Sequence, residues 1–495
     1  MITSAIVISV QLLVQVLAVV FVLRLNMLPK AYIAVLILLM VLLLEGVALF
    51  MLVPVKDQIR LWRKIVSCTL AVVVMAGCVF ASKFAWDTYH FVDGISGGYV
   101  ATKDVRIVVL NESTAQTLGD TKGYRYGVMP DYDAEHTQQM MTVIQTETGG
   151  DVIFADFQQV TAMVNALYNH EVDALIMHDA SISLLIEQDG YHDFLSRARF
   201  LYTLTIEETV EQVVQPPRED LERSCFVVYI SGSDTRSKLL DVSRSDVNIL
   251  AIVNPNTKQI LLINTPRDYY IPHPKSKDGV LDKLTHCGNS GVSCSMEALS
   301  TLYGTKIDYY MQINFTGFEK LVDAIGGVTI NSDQSFYTVE GSYIQKGENQ
   351  LNGKLALQFA RERYNVKGGD DGRGKNQMKV IKAIVDKLSS SSALITNYAE
   401  ILKSLEGMFK TSFHTEEIGD LVKMQLSDMA TWDVQSYAVD GKGSMEWCYS
   451  WSDYKLSVSI PDMNTVNHAK TLIGRVLAGQ KVTAEDMILP KNENN

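Results

Sequence analysis

The sequence predicts an α/β protein held in a membrane by three N-terminal helices and carrying two folded units beyond them. Three observations predict it. Apolar runs over 3–23, 31–55 and 65–82 are each long enough to cross a bilayer core, which takes roughly 17–25 residues. Beyond residue 100, strand-like runs of β-formers alternate with segments of helical apolar spacing. The chain has 495 residues, and at roughly 100–200 residues per domain that leaves room for more than one unit after the apolar region.

The three runs differ in their interruptions. The first and third carry no charge, and the second carries only Glu45. No basic stretch precedes them and they follow one another, so a cleaved signal peptide fits poorly. The 56–64 segment holds Lys56, Arg60, Arg63 and Lys64, against Arg24 and Lys30 in the 24–30 segment. The positive-inside rule puts the richer segment in the cytoplasm, with the N-terminus inside and everything after residue 83 outside. Trp62, Trp86 and Tyr89 fall where interfacial aromatics belong. Glu45 is costly in hydrocarbon, and matched depth predicts a hydrogen bond to it from Gln11 or Gln15.

Residues 100–215 read as a small α/β unit. Strand-like runs stand at 105–110, 151–156 and 172–178, with helical patterns at 133–147 and 157–169. Asp131 and Asp133 are placed to cap the first helix. His170 and His178 read as surface or satisfied histidines, and a proline-containing linker follows at 215–220.

Residues 221–490 form the larger unit. The strand Phe-Val-Val-Tyr-Ile at 226–230 runs into a turn bearing Asp234. Two apolar runs, 247–253 and 260–265, flank an Asn-Pro-Asn turn and read as a hairpin. Its ends bring Asp246 beside Arg267. Residues 314–330 read as a helix closing at Gly326-Gly327 and passing into a strand. Arg361 and Arg363 are two apart, so on an extended backbone they point the same way. Arg373 and Gln377, behind Asp370, share a helix face. The runs at 402–409, 416–426 and 466–477 read as helices and 433–439 as a strand, completing the same unit.

Lys and Arg number 44 against 56 Asp and Glu, a net charge of −12, which argues against a protein that coats nucleic acid. Six cysteines without C-x-x-C spacing exclude a disulfide scaffold and disfavour structural zinc. Cys287 and Cys294, seven apart around Gly288 and Gly291, leave a local disulfide open. Within this acidic chain, carboxylates near strand ends and a set of arginines form one kind of chemistry. The Arg fork matches phosphate oxygens, and Mg²⁺ takes one or two carboxylates plus phosphate oxygens. The set suits a divalent-metal pyrophosphate.

The motifs Ser-Gly-Ser-Asp (231–234), SRSDVNIL (243–250), INTPRDYYIP (263–272), DKLTH (282–286), IDYYMQINFTGFEKLVDAIGGV (307–328), NGKLALQFARER (352–363) and DDGRGKNQ (370–377) span about a third of the chain. In this order they resemble the catalytic domain of the LytR-CpsA-Psr family of bacterial cell-envelope proteins. The three spans and the 100–215 segment resemble its CpsA branch, found in capsule operons, and that segment is similar to the branch's accessory domain. The resemblance implies an α/β/α sandwich, a lipid groove, and transfer of a capsular or related glycan from undecaprenyl pyrophosphate to peptidoglycan. By matching position it implies Mg²⁺ on Asp234 and Asp246. It implies pyrophosphate contacts from Arg267, Arg361, Arg363, Arg373 and Gln377, with Arg236, Arg244, Lys283 and Asp370 as weaker carry-overs. Arg267, Asp370, Arg373 and Gln377 are the residues expected at the chemistry, with Asp370 or Asp268 as proton acceptor. Phe315, Phe318, Leu321, Val322 and Ile325 are candidates for the groove. Where the family often has a second Arg before the Gln, this chain has Asn376. Two other functions stay open: a regulator of capsule synthesis that contacts capsule synthesis proteins, and a polyprenyl-phosphate binding module without turnover.

Overall fold

The computed structural model describes residues 2–53, 61–95, 100–130, 133–186, 188, 190–209, 217–218, 220–233, 244–276, 278–390, 405 and 408–490. Three helices open the chain: α1 (Ile2–Leu25), α2 (Lys30–Leu52) and α3 (Leu61–Ile95), each long and apolar enough to cross a membrane. The third outruns its expected end at 82 because no proline breaks it. Beyond the apolar stretch it keeps one buried face, formed by Ala85, Thr88 and Val92.

The ends of these helices are tied together and to the rest of the chain. Phe21 meets Trp86 edge-on at 5.9 Å, and the Arg24 guanidinium lies 5.4 Å over the Tyr89 ring. Tyr32 donates its hydroxyl hydrogen to the Leu426 carbonyl at 3.0 Å. The expected bond to Glu45 is not made. Gln15 donates instead to the Met40 carbonyl at 3.2 Å, Gln11 is buried with neither side-chain polar atom partnered, and Glu45 faces outward. Met40 and Glu45 are five residues apart, about 140° around a helix of 3.6 residues per turn, so a contact on one face misses the other.

The first unit holds a five-stranded sheet of β1 (Val100–Leu110), β2 (Arg125–Val128), β3 (Ile153–Asp156), β4 (Ala174–His178) and β5 (Ala198–Thr209), in the order β3-β2-β4-β1-β5. Between them run α4 (Ala134–Thr148), α5 (Val160–Tyr168), α6 (Asp179–Leu185) and α7 (Phe194–Arg197). Strand alternation divides the core. Val105, Ile107 and Val109 pack with Met140 and Ile144 of α4, while Val108 packs with Met163, Val164 and Leu167 of α5. Asp133 stands before α4, but its carboxylate meets His136 Nδ1 at 2.9 Å rather than capping the helix. Asp131 lies outside the described residues. Neither β2 nor β5 was anticipated: the first has four residues, and the second mixes apolar and charged side chains.

The second unit is a three-layer α/β/α sandwich. It begins with β6 (Phe226–Ser233), β7 (Val247–Asn254) and β8 (Gln259–Asn264). The pair β9 (Tyr270–Pro272) and β10 (Leu281–Lys283) follows, then α8 (Leu284–Cys287) and α9 (Val292–Tyr303). Next come β11 (Tyr309–Asn314), α10 (Phe315–Ala324), β12 (Val328–Ser332), β13 (Phe336–Tyr337), β14 (Tyr343–Ile344), β15 (Gly347–Leu351), α11 (Gly353–Arg361) and α12 (Asp370–Ser390). The chain closes with β16 (Phe409–Thr411), α13 (Thr415–Asp428), β17 (Asp433–Ala438), the hairpin β18 (Gly441–Cys448) and β19 (Trp451–Pro461), and α14 (Met463–Leu477). The central sheet runs β16-β11-β6-β7-β8-β17.

Alternation in the central strands feeds both helical layers. Val227, Tyr229, Leu250, Ile252, Leu261 and Ile263 pack with residues of α9 and α14. Phe226, Val228, Ile249, Ala251, Val253 and Leu262 pack with Met378 of α12 and Ile418 and Leu421 of α13. The expected hairpin pairs as β7 and β8, with Asn254 opposite Gln259. Gly326 and Gly327 both adopt φ 79°, the left-handed turn expected after α10. The 402–409 run lies mostly outside the described residues. The β18–β19 hairpin reaches the first unit: Trp451, Leu456 and Val458 share its core with Val164 and Leu167, and Thr161 donates from both backbone and hydroxyl to Asp453.

Candidate functional site

The hairpin geometry sets the first part of the site. The Asp246 N–H donates to the Gly232 carbonyl at 2.8 Å, which fixes the entry to β7 beside the end of β6. Arg267 follows β8, and its Nη1 lies 2.8 Å from Asp246 Oδ1. Its Nε is buried, makes no hydrogen bond, and lies 3.7 Å from an Asp268 oxygen. The other Asp268 oxygen is 3.2 Å from Lys283 Nζ. Burial alone would push the Asp268 carboxyl up, but the Lys283 and Arg267 charges outweigh it and hold Asp268 below its ordinary value. Burial pulls Arg267 down, yet Asp246 and Asp268 more than offset that and raise it. Both groups therefore stay charged.

The second part comes from α11 and α12. Arg361 is the last residue of α11 and Glu362 beyond it is extended, so the two arginines are not on one strand as expected. The Arg361 guanidinium stacks 4.4 Å over the Phe315 ring, and Arg363 lies 4.7 Å over that of Tyr364. The buried Glu362 between them accepts the backbone N–H groups of Val339, Tyr364 and Asn365 at 2.7, 2.9 and 3.0 Å, which fixes the turn. Arg373 Nη2 meets Asp370 Oδ1 at 2.6 Å within the first turn of α12. Burial lowers Arg373, and Asp370 opposes that. Gln377 lies one turn on. The helix can approach the sheet this closely because residue 374 is glycine: a Cβ there would stand 2.2 Å from Asn264 Nδ2.

These groups share one cavity of about 400 Å³. Arg244, Arg267, Arg361, Arg363, Arg373 and Gln377 line it, with Asp246, Glu340 and Glu362. Five arginines against three carboxylates leave the wall cationic inside an acidic protein. Ile230, Val247, Ile313, Phe315, Phe318, Leu357, Val380 and Ile381 supply the apolar part. The five groove candidates are placed differently. Phe315 and Phe318 line the cavity, but Val322 and Ile325 are fully buried in the core beneath α10, and Leu321 packs against that core. A 3.6-residue stripe selects the face that packs, and the packing partner here is the protein itself. Lys283 and Asp370 do not line the cavity and act one contact away, through Asp268 and Arg373. Asp234 and Arg236 lie outside the described residues. The apolar wall from β6, β7 and α12 was not anticipated; alternation places Ile230 and Val247 on the α12 side, but only the tertiary crossing shows that they face a cavity. Asn376 donates to the Phe359 carbonyl at 3.3 Å, a packing bond.

The fit of Mg²⁺ rests on the donor set. Asp246 offers a carboxylate on the cavity wall, among cationic groups whose excess charge anionic oxygens would balance. Mg²⁺ needs only one or two protein carboxylates when phosphate completes its shell.

The LytR_cpsA_psr family model matches residues 199–468. The chain is 34% identical over 213 residues to the polyisoprenyl-teichoic acid–peptidoglycan teichoic acid transferase TagU of Enterococcus faecalis, spanning 43% of this chain and 69% of that one. It is 30% identical over 247 residues to the TagU of Oceanobacillus iheyensis, spanning 48% and 74%. Among solved structures, B. subtilis TagU aligns at 26% identity and a TM-score of 0.41, covering 53% of this chain and all of that one.

Proposed function

The chain belongs to the LytR-CpsA-Psr family, and on that premise we propose that it is a membrane-anchored transferase that moves a glycopolymer from a polyprenyl pyrophosphate to peptidoglycan outside the cytoplasm. The relatives that support this reading are named as teichoic acid–peptidoglycan transferases. The finer assignment, a capsular polysaccharide carried by undecaprenyl pyrophosphate, rests on the three spans and the 100–215 unit that accompany the catalytic motifs.

One observation carries the proposal: Arg267, pinned by Asp246 and with a buried, unpartnered Nε, opens into the same cavity as four other arginines and an apolar wall. The cationic end matches a pyrophosphate and the apolar end a prenyl chain. Mg²⁺, held by Asp246 together with Asp234, would neutralise phosphate oxygens. Arg267, Arg361, Arg363 and Arg373 bind and orient the pyrophosphate and take up charge on the departing lipid phosphate, with Gln377 as a neutral donor. Catalysis by positioning and charge stabilisation suits phosphoryl-type transfer. A peptidoglycan hydroxyl attacks. Asp268 and Asp370 are the two candidate proton acceptors, and the cationic neighbours of Asp268 favour its ionised form. Asp370 stands one contact behind Arg373.

The test is transfer of labelled polymer to purified peptidoglycan by the full-length chain in detergent. Chelation should abolish transfer and Mg²⁺ restore it, and Asp246→Asn should lower it about 100-fold or more. Binding of the lipid donor without transfer under any condition would leave a carrier-binding module instead.

A further inference from the structure

Away from the arginine cavity, His273, Cys287 and Cys294 stand together. All three are buried, and one ring nitrogen and the two sulfurs lie within 4.8 Å of one another. Cys287 ends α8 and Cys294 lies in the first turn of α9, joined through Gly291 at φ 93°. The sulfur of Cys294 is 3.9 Å from His273 Nε2. The other ring nitrogen, Nδ1, accepts the Lys275 backbone N–H at 3.2 Å.

That last bond decides between two chemistries. A neutral imidazole carries one N–H. With Nδ1 accepting, the proton sits on Nε2 and points at Cys294. This tautomer offers no lone pair on Nε2 to a metal ion, but it does stabilise a thiolate. The neighbouring Cys287 thiol and the His273 N–H, both beside the Cys294 sulfur, hold Cys294 below the ordinary thiol value. The adjacent Cys294 sulfur, together with burial, pushes Cys287 up. One sulfur is prepared as a nucleophile and its neighbour stays protonated.

We propose that Cys294 and Cys287 form a dithiol–disulfide pair, Cys294 attacking and Cys287 resolving, which is oxidised by a small-molecule disulfide. The Cys294 thiolate attacks one sulfur of that disulfide and expels the other as a thiolate. Cys287 loses its proton to that leaving thiolate and then attacks the Cys294 sulfur, expelling the second thiol fragment as a thiolate. The protein gives up two electrons and one proton, and the small disulfide becomes one thiol and one thiolate. Access runs past Tyr449, which is 45% exposed and whose ring stacks on His273 at 4.8 Å, so the cluster lies one side chain below the surface. The location gives the bond a consequence. The Thr285 N–H in α8 donates to the Arg267 carbonyl at 2.8 Å, and the Thr285 carbonyl accepts from Ser245 at 3.3 Å. Closing the pair staples α8 to α9 directly behind Arg267 and Asp246.

The test uses the full-length chain in detergent, treated with oxidised glutathione at neutral pH, then N-ethylmaleimide and peptide mapping. The expected product is a single species with Cys287 and Cys294 joined, unlabelled until reductant is added. Cys287→Ser should trap glutathione on Cys294, Cys294→Ser should leave Cys287 unmodified, and Tyr449→Ala should speed the reaction severalfold. Full labelling of both thiols after oxidant, in wild type and in Tyr449→Ala alike, overturns the proposal. So does glutathione captured equally by either cysteine, or one equivalent of zinc retained after incubation with zinc sulfate and lost in Cys294→Ser.

Discussion

Replacing Arg267 by lysine separates charge from geometry. The guanidinium makes one close contact, Nη1 to Asp246 at 2.8 Å, and leaves its Nε buried and unpartnered. An ammonium reproduces the first and removes the second. The carboxylates of Asp246 and Asp268 keep a cation between them, so the fold survives. On the proposed reading the Nε is the donor held for a phosphate oxygen. A hydrogen bond to a charged group contributes about 1.5–3 kcal/mol, which converts to a loss of about 10–150-fold in kcat/KM. Arg267→Ala goes further: the half-buried Asp246 loses its ion-pair partner and Asp268 keeps only Lys283, so stability falls, by less than the about 3–5 kcal/mol of a fully buried pair. The assay is polymer transfer by the full-length chain at saturating Mg²⁺, with thermal melting as the fold control. If Arg267→Lys melts like wild type and retains kcat/KM within twofold, the assignment of Nε to the substrate is wrong.

Three further outcomes are expected. Asp268 is held below its ordinary value, so its contribution to stability is present above the unfolded carboxylate value and lost as pH falls through the folded one. Melting temperature followed from about pH 6 to about pH 3 should therefore fall less steeply in Asp268→Asn, from a lower starting point. Phe318→Ala removes an aromatic wall worth about 1.5–3 kcal/mol of burial, so a long-chain prenyl pyrophosphate should bind about 10–100-fold more weakly, while inorganic pyrophosphate competes as before. Gly374→Ala drives a methyl group against Asn264 and should cost about 1–3 kcal/mol by denaturant unfolding, with transfer reduced further because Arg373 and Gln377 move with the helix.

Local chemistry made part of this site legible. The β7–β8 hairpin had its turn and its alternation in the sequence, and Asp246 meeting Arg267 follows from antiparallel pairing alone. Arg373 and Gln377 followed from helical spacing. The apolar wall did not, because periodicity says which residues are buried and not what lies against them. Val322 and Ile325 share a stripe with Phe318, yet only Phe318 reaches the cavity. Arg361 and Arg363 converge for a reason the sequence hid: the buried carboxylate of Glu362 gathers three backbone N–H groups and turns the chain. In the membrane region the span count was legible from composition, whereas the Gln15 partner depended on how α1 crosses α2.

The anchor bears on the chemistry through one apolar cluster. Phe91, on the extension of α3, packs against the same core as Phe318, Leu321 and Ile313, and two of these, Phe318 and Ile313, also line the cavity. A membrane helix and the cavity wall are therefore joined by continuous apolar contact. On the proposed reading this matters for a prenyl substrate. Burying a methylene stabilises by about 0.8 kcal/mol, so a route that exposed even one five-carbon isoprene unit to water would cost about 4 kcal/mol, near a thousandfold in affinity. A domain on a flexible tether would meet that cost whenever it drifted from the bilayer. On the proposed reading, a helix that runs unbroken to Ile95 and packs Phe91 against that core would hold the cavity at one height above the lipid. On the proposed reading, with the donor a polyprenyl pyrophosphate outside the cytoplasm, the pyrophosphate bond supplies the driving force, and holding the cavity at the surface that carries it would raise the donor's effective concentration.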